Sequence, residues 1–259
     1  MRAFTTFLAE HPFALTYTTF VLVIMHVASI YLHRGETHGA VILQKDLALG
    51  CQILLGIMLG VNVANWLGCH GIHHANADRE ADVHPPWIKG FLNVLVATPW
   101  YHQVVVARRG DEVKAAAAGY KPTEFDFLMQ RLKIPWLNIP VNSFGLLGLL
   151  TFSLVGLRVN HAHIGALLWL LIAVTCNLLF GLVNSWGHSA KTMHPKAGRS
   201  KDLPWFMFLV LGGEYKHHQH HLHPGKYYHG LLDTGGQIIR LLIWVGLATP
   251  GMRPVRVVA

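Results

Sequence analysis

Residues 12–38 read PFALTYTTFVLVIMHVASIYLHRGETH, and this stretch predicts both the fold class and the chemistry. Its first 21 residues, Pro12 to Leu32, contain no Lys, Arg, Asp or Glu. A helix of that length crosses the roughly 30 Å apolar core of a bilayer. Two histidines, His33 and His38, follow directly. An apolar run this long, followed by histidines rather than a cleavage site, argues against a secretory signal peptide.

The composition of the whole chain also indicates a membrane protein. Of its 259 residues, 52% are hydrophobic and only 13% are charged, whereas a soluble domain carries about a quarter charged residues. The high apolar content and the lack of a short repeat exclude disorder, a coiled coil and collagen. Three cysteines without a CxxC motif exclude a disulfide scaffold and a thiolate zinc site.

Two further spans are predicted, at 136–157 and 164–183, joined by a short polar turn into a hairpin. The apolar segments 47–69 and 91–106 are predicted to be interfacial or re-entrant helices that do not cross. A crossing at 47–69 would place the histidine clusters on its two sides on opposite membrane faces. The resulting fold is all-α, with one domain over residues 1–259.

The charge distribution predicts the orientation of this bundle. The segments 33–135 and 188–259 hold 10 and 9 of the 21 Lys and Arg residues, and these residues concentrate on the cytoplasmic side of membranes. Both segments are therefore predicted to be cytoplasmic. Orientation and contact with anionic lipid account for the net charge of +8. Nucleic-acid binding is not expected, because no reading motif accompanies the basic residues.

Histidine is the unusual component, with 19 residues. Three clusters have the spacings H-x4-H, H-x2-HH and H-x2-HH, and positions i, i+3 and i+4 share one face of a helix. A further histidine follows the last predicted span in Asn184-Ser185-Trp186-Gly187-His188. The clustered residues are His33 and His38; His70, His73 and His74; and His217, His220 and His221.

These histidines predict a metal site on the cytoplasmic side. A single histidine is usually a surface or core residue, but clusters of matching spacing at the ends of apolar helices are not explained that way. They are too many for one four-coordinate zinc ion and suit two metals with higher coordination numbers. Neutral nitrogen ligands favour iron, copper or zinc over magnesium or calcium. The composition does not choose between iron and zinc.

With these motifs, the chain resembles the integral-membrane fatty acid desaturases, most closely the acyl-CoA Δ9 (stearoyl-CoA) branch. The three histidine clusters carry the resemblance. Flanking residues add to it: Ala81-Asp82-Val83-His84-Pro85, Asn184-Ser185 before His188, Gly213-Glu214 and Pro224. The resemblance covers about residues 31–224.

The resemblance implies a transmembrane helical bundle with a cytoplasmic helical cap. The predicted location is a bacterial inner membrane. It implies O2-dependent desaturation of an acyl-CoA or acyl-carrier-protein thioester. It also implies a separate electron donor, either a ferredoxin, a rubredoxin or a cytochrome b5-like protein with its reductase. Asn184 would hold a metal-bound water. Two iron ions would be ligated by His33, His38, His70, His73, His74, His188, His217, His220 and His221.

Some residues depart from the family pattern, and some roles stay open. Gly71 stands where arginine is common, and His218 stands where asparagine is usual. Glu36 and Glu214 are predicted to orient ligating imidazoles. Two interpretations stay open for the acidic residues Asp78, Glu80 and Asp82. They form either a solvated acidic turn or a second set of residues that orient ligating imidazoles. Mid-span His26 is predicted to pack or to line a substrate tunnel.

Two other functions remain as alternatives. One is a hydroxylase, ketolase or terminal desaturase of the same superfamily. The other is a non-enzymatic membrane metal carrier or sensor, although such proteins place ligands inside their spans.

Overall fold

The first long helix changes its hydrogen-bonding pattern where the histidines begin. Pro12–Val27 is α-helical and continues over Ala28–Thr37 as a π-helix, in which residue i bonds to residue i+5. The amide of His38 donates to the carbonyl of His33 at 3.2 Å, and the two ring centroids are 5.0 Å apart. The H-x4-H spacing is therefore co-facial because the helix is widened at this point.

The computed structural model describes residues 12–131, 148–154 and 162–251. The predicted span 136–157 lies outside these residues, except for a helical stretch at 148–154. The elements in chain order are α1 Pro12–Val27 with its π-helical extension, β1 Val41–Leu43, α2 Lys45–Leu59, α3 Val63–Asn76, α4 Pro86–Lys89, α5 Phe91–Arg108, α6 Gly110–Ala116, α7 Glu124–Arg131, α8 Ala162–Trp186, 3-10 turns Trp205–Met207 and Glu214–Lys216, α9 His217–Leu222, α10 Thr234–Trp244 and β2 Ala248–Pro250.

The prediction of an all-α fold is confirmed. Within the described residues the strands have three residues each and form one antiparallel pair, with Val41 opposite Pro250. This pair ties the end of the first helix to the last described residues. The remaining regular structure is helical.

Two of the described helices are long and apolar enough to cross a membrane, Pro12–Thr37 and His163–Trp186. They contain the segments 12–32 and 164–183 that the sequence predicts as spans. The two helices contact each other through the hydroxyls of Tyr17 and Thr175, 2.6 Å apart. Their shared core contains Ile24 and Ile172, and its burial holds the two helices side by side.

The apolar segment 47–69 forms two helices, where the sequence predicts one. Helices α2 and α3 meet at 86°, and Gly60 between them has a φ of +67°, which glycine adopts without strain. The Asn62 side chain then caps α3 by accepting the Asn65 amide at 2.9 Å. By length and hydropathy the bent pair is either a broken span or a re-entrant segment. The bend returns the histidines of α3 to the end of the first helix.

Helix α5 covers the second predicted interfacial segment and lies against α8. A Cβ atom on Gly181 would collide with the carbonyl of Leu95, so the two backbones approach closely because Gly181 has no side chain. Helix α8 ends at Trp186. This packing places His188 beside the histidines of α3.

Candidate metal centre

Nine buried or half-buried histidines from four parts of the chain form one cluster. They come from the π-helix and its end, from α3, from the residues after α8 and from α9. The sequence-predicted histidines are all present in it: His33, His38, His70, His73, His74, His188, His217, His220 and His221. The cluster divides into two neighbouring groups.

Five histidines make up the first group, and their ligand-capable nitrogens lie within 4.8 Å of one another. The Nε2 atoms of His38 and His70 are 3.2 Å apart, and those of His74 and His220 are also 3.2 Å apart. His33 completes this group, and its Nε2 is buried without a hydrogen-bond partner. The group thus gathers nitrogens from three separate helices.

The second group contains His73, His188 and His221, again within 4.8 Å. The Nε2 atom of His188 is 3.1 Å from that of His73 and 2.8 Å from that of His217. Consecutive histidines on α3 and α9 point to different groups. In each H-x2-HH motif, one histidine of the HH pair therefore belongs to the first group and the other belongs to the second.

Three carboxylates accept hydrogen bonds from the Nδ1 atoms of three of the rings. Nδ1 of His33 donates to Glu214 at 2.9 Å, while Nδ1 of His73 and of His188 donate to Asp82 and Asp78, both at 2.8 Å. Partners of this kind fix ring orientation and leave Nε2 facing inwards.

This geometry decides a question that the sequence left open. Asp78 and Asp82 are 7% and 4% exposed, so they are not a solvated acidic turn, whereas Glu80 is exposed. Glu214 makes the predicted contact. Glu36 is half-buried, and its support of a histidine stays a prediction.

A buried arginine holds Glu214 in turn. Arg34 is 1% exposed and lies between Glu214 and Asp233, with Nη1 2.9 Å from Asp233 Oδ2. Burial raises the pKa of Glu214, but the His33 ring, Arg34 and a hydrogen bond from Ser29 outweigh it and hold that pKa well below its usual range. Sequence reasoning missed Arg34, although an arginine between two ligand positions of an apolar helix was the available signal.

The donor set fits a pair of metal ions. A neutral imidazole has one N–H and one lone pair, so His73 and His188, which donate from Nδ1, turn two lone pairs towards each other at 3.1 Å. A cation between them, either a metal ion or a proton on one ring, makes this arrangement favourable. Two nitrogens on one metal at about 2.0–2.1 Å lie roughly 2.8–3.4 Å apart, and the observed separations of 2.8–3.2 Å fall in that range.

A proton is disfavoured on several rings of the cluster, and His73 is the exception: burial lowers its pKa, but the Asp82 carboxylate outweighs burial and raises that pKa above the usual value for histidine. Burial lowers the pKa of His188, His220 and His221 well below the usual value for histidine, and it lowers that of His217 to about 3. These rings are therefore neutral near pH 7, which is the state that binds a metal.

Two further residues with predicted roles are not members of the histidine cluster. Asn184 is half-buried in the last turn of α8, four residues before His188, and its role with water stays a prediction. His26 packs as predicted: its ring nitrogens bond to the Leu22 carbonyl and the Thr234 hydroxyl at 2.8 and 2.9 Å.

Sequence reasoning assigned no role to His84 and His102. The rings of these two residues stack at 5.5 Å with 12° between their planes, and the His84 ring is 4.7 Å from that of His73. His84 forms a third possible metal-binding group with His73 and Asp82. The hydrogen bond to Asp82 already occupies Nδ1 of His73, and Nδ1 of His84 is buried without a hydrogen-bond partner. The contacts of the His84 ring with His73 and His102 are therefore packing contacts.

Comparison with known proteins agrees with this geometry. The family model described as "Fatty acid desaturase" matches residues 11–235. The acyl-CoA C20 Delta5-desaturase of Anemone leveillei is 26% identical over 230 residues, which cover 85% of this chain and 67% of that relative. Its name refers to a Δ5 reaction, so the resemblance to the Δ9 branch stays a prediction. Since the matched region includes all nine clustered histidines, the chain belongs to the fatty acid desaturase family and is a fatty acyl desaturase.

Proposed function

We propose that the chain introduces a double bond into a fatty acyl thioester, in an O2-dependent reaction at two iron ions. The observation that carries this proposal is the pair of adjacent groups of buried, inward-facing histidine nitrogens. The name of the Anemone leveillei relative supports an acyl-CoA substrate. An acyl-carrier-protein thioester presents the same acyl chain, and we propose it as the alternative substrate.

The two groups suggest how the ligands divide. His33, His38, His70, His74 and His220 would hold one ion. His73, His188, His217 and His221 would hold the other, with a water positioned by Asn184. When bound, the two irons supply the oxidising power that removes two hydrogens from adjacent methylene groups.

The chain's own residues orient the ligands and exclude water. Glu214, Asp82 and Asp78 hold their rings in one tautomer, so that each Nε2 faces the centre. His73 and His188 are 1% and 0% exposed. A site this dry protects a strong oxidant from side reactions.

The electron balance requires an outside donor. The reaction R–CH2–CH2–R′ + O2 + 2 e⁻ + 2 H⁺ → R–CH=CH–R′ + 2 H2O takes two electrons from the substrate and two from elsewhere. We propose that a ferredoxin, a rubredoxin or a cytochrome b5-like protein, with its reductase, delivers the second pair. We also propose that the protein lies in a bacterial inner membrane, with its site on the cytoplasmic side. The distribution of Lys and Arg supports the choice of side.

Expression in a host that lacks unsaturated fatty acids tests this proposal. We expect growth without added unsaturated fatty acid, and new acyl chains lighter by two hydrogens in mass spectrometry. A His73→Ala variant at the same expression level is the control and should give neither. Products heavier by one oxygen, with no new double bond, would instead identify a hydroxylase.

A further inference from the structure

A strongly basic hairpin follows His188, the predicted ligand just after α8. Residues 189–201, here called the basic hairpin, contain four Lys and Arg residues and no Asp or Glu. A bridge between His194 and Gly198 closes the hairpin. Lys191 and Lys196 are exposed, and neither forms an ion pair with any residue that the structure describes. The hairpin thus presents uncompensated positive charge to its surroundings.

The base of this hairpin is bonded directly to the metal centre. The Arg199 amide donates to Asp78 Oδ2 at 2.6 Å, and the same oxygen accepts His188 Nδ1 at 2.8 Å. Asp78 adopts a φ of +63°, which is rare outside glycine, and a Cβ on Gly198 would collide with it. Two hydrogen bonds therefore join the hairpin backbone to a buried ring of the second group.

Two further contacts connect the same surface to that group. Trp87 is 52% exposed, carries the Arg199 guanidinium 4.3 Å above its ring and donates to the carbonyl of His188 at 3.0 Å. On the other side, His218 bonds to Ser200 at 2.9 Å and is joined to His217 by one peptide bond. His218 is also the residue that replaces the family's usual asparagine.

Beside His218 the surface has an open depression of about 410 Å³. Its lining includes His194, Lys201 and His218, and its one acidic residue, Asp202, is paired with Lys216 at 3.2 Å. The depression can therefore receive an acidic side chain of a partner.

We propose that the basic hairpin docks an acidic one-electron carrier protein, which passes electrons to the metal centre through the His188 side. This inference rests on the proposed function, which needs two electrons per double bond, so the carrier docks twice in each cycle and leaves oxidised each time. Charge complementarity brings an acidic carrier to this surface. The hydrogen bonds that link Arg199 through Asp78 to His188 favour such a carrier over an anionic lipid headgroup or the phosphates of CoA, neither of which gains from a route to the metal.

The test compares kinetics with protein carriers and with a small reductant. Purified protein in neutral nanodiscs would be assayed with a reduced acidic [2Fe–2S] ferredoxin and, in parallel, with an acidic cytochrome b5. In the Lys191→Glu/Lys196→Glu double variant we expect KM for the carrier to rise at least about tenfold, with kcat at saturating carrier changed less than about twofold. The activity of the wild type should also fall with added salt more steeply than that of the variant.

Lys121→Glu is the matched control, because it reverses an exposed charge on a loop that packs against α2 through Tyr120 and Gln52. Its KM for the carrier should stay within twofold of the wild-type value.

The other outcomes each overturn the docking proposal. An unchanged KM for the carrier in the double variant would show that the hairpin does not dock the carrier. A raised KM for acyl-CoA alone assigns the surface to the thioester headgroup, and a defect seen only in vesicles with anionic lipid assigns it to the membrane. The proposal is also overturned if the wild-type protein makes unsaturated product when dithionite reduces it but makes none when either carrier protein is the reductant. Failure of the proposed function is distinct, because the dithionite-reduced wild type would then make no unsaturated product.

Discussion

His33 donates from Nδ1 to Glu214 at 2.9 Å, and this contact joins the first long helix to the turn before α9. The same relation recurs between His73 and Asp82. Burial raises the pKa of the Asp82 carboxyl group, but the His73 ring lowers it by more, so the pKa of Asp82 is depressed. Each buried carboxylate is thus paired with the ring that it orients. The geometry of the metal centre depends on these pairs as well as on the ligands.

Loss of one ligand should abolish turnover. His73→Ala and His220→Ala each remove one inward-facing nitrogen, so we expect activity to fall at least about 100-fold while the protein still inserts. The measurement is the yield of unsaturated acyl chains at matched membrane expression. His161→Ala and His163→Ala are the controls and should retain activity, because both positions are predicted to lie on the outer turn. An inactive control with normal expression would contradict the predicted topology.

Loss of a carboxylate that orients a ligating ring should weaken metal binding, while the protein still inserts into the membrane. Asp82→Asn and Asp78→Asn each remove the charge behind one ring, and we expect metal affinity to fall about 10- to 100-fold. Metal retained after a timed exposure to chelator, measured by elemental analysis, checks this. Glu80→Gln is the control, because Glu80 is exposed and lies between the two aspartates in sequence. Equal metal loss in all three variants would show that Asp78 and Asp82 have no special role.

The metal content itself is a separate prediction. Purified protein should contain two iron ions per chain, since the two groups of histidines would each hold one ion. Elemental analysis that finds one zinc ion and no iron would contradict both the metal and the proposed oxidation chemistry.

The sequence predicted which histidines lie together better than it predicted which residues hold their rings in place. The spacing of His70, His73 and His74 was enough to predict that they share one helix face, because positions i, i+3 and i+4 do so in any α-helix. The π-helix under His33 was not predictable, since its widened bonding depends on tertiary contacts. The role of Asp78 was also hidden, because it depends on a positive φ and on a hairpin more than 100 residues away in sequence.

Gly213 should not tolerate a side chain. Its φ is +92°, and a Cβ would collide with Asp233 and Arg34, so Gly213→Ala should cost about 1–3 kcal/mol. Thermal unfolding in detergent should show a Tm lower by several degrees. Gly110→Ala is the control, because open space surrounds that position and its backbone is unstrained, and its Tm should stay close to that of the wild type. An unchanged Tm for Gly213→Ala would show that Arg34 and Asp233 can move apart freely.

The last prediction concerns the bent segment α2–α3, which hydropathy permits as a third crossing. A crossing of about 30 Å would separate His38 from His70, whereas their Nε2 atoms lie 3.2 Å apart. We therefore predict that the segment does not cross. Cysteine labelling in intact cells tests this in a variant without the three native cysteines, with new cysteines at the exposed positions Asp46, Glu80 and His163. A membrane-impermeant reagent should label only the cysteine at 163, and all three after permeabilisation. If the cysteine at 80 is labelled from outside and the one at 46 is not, the segment crosses, and the shared metal site is wrong.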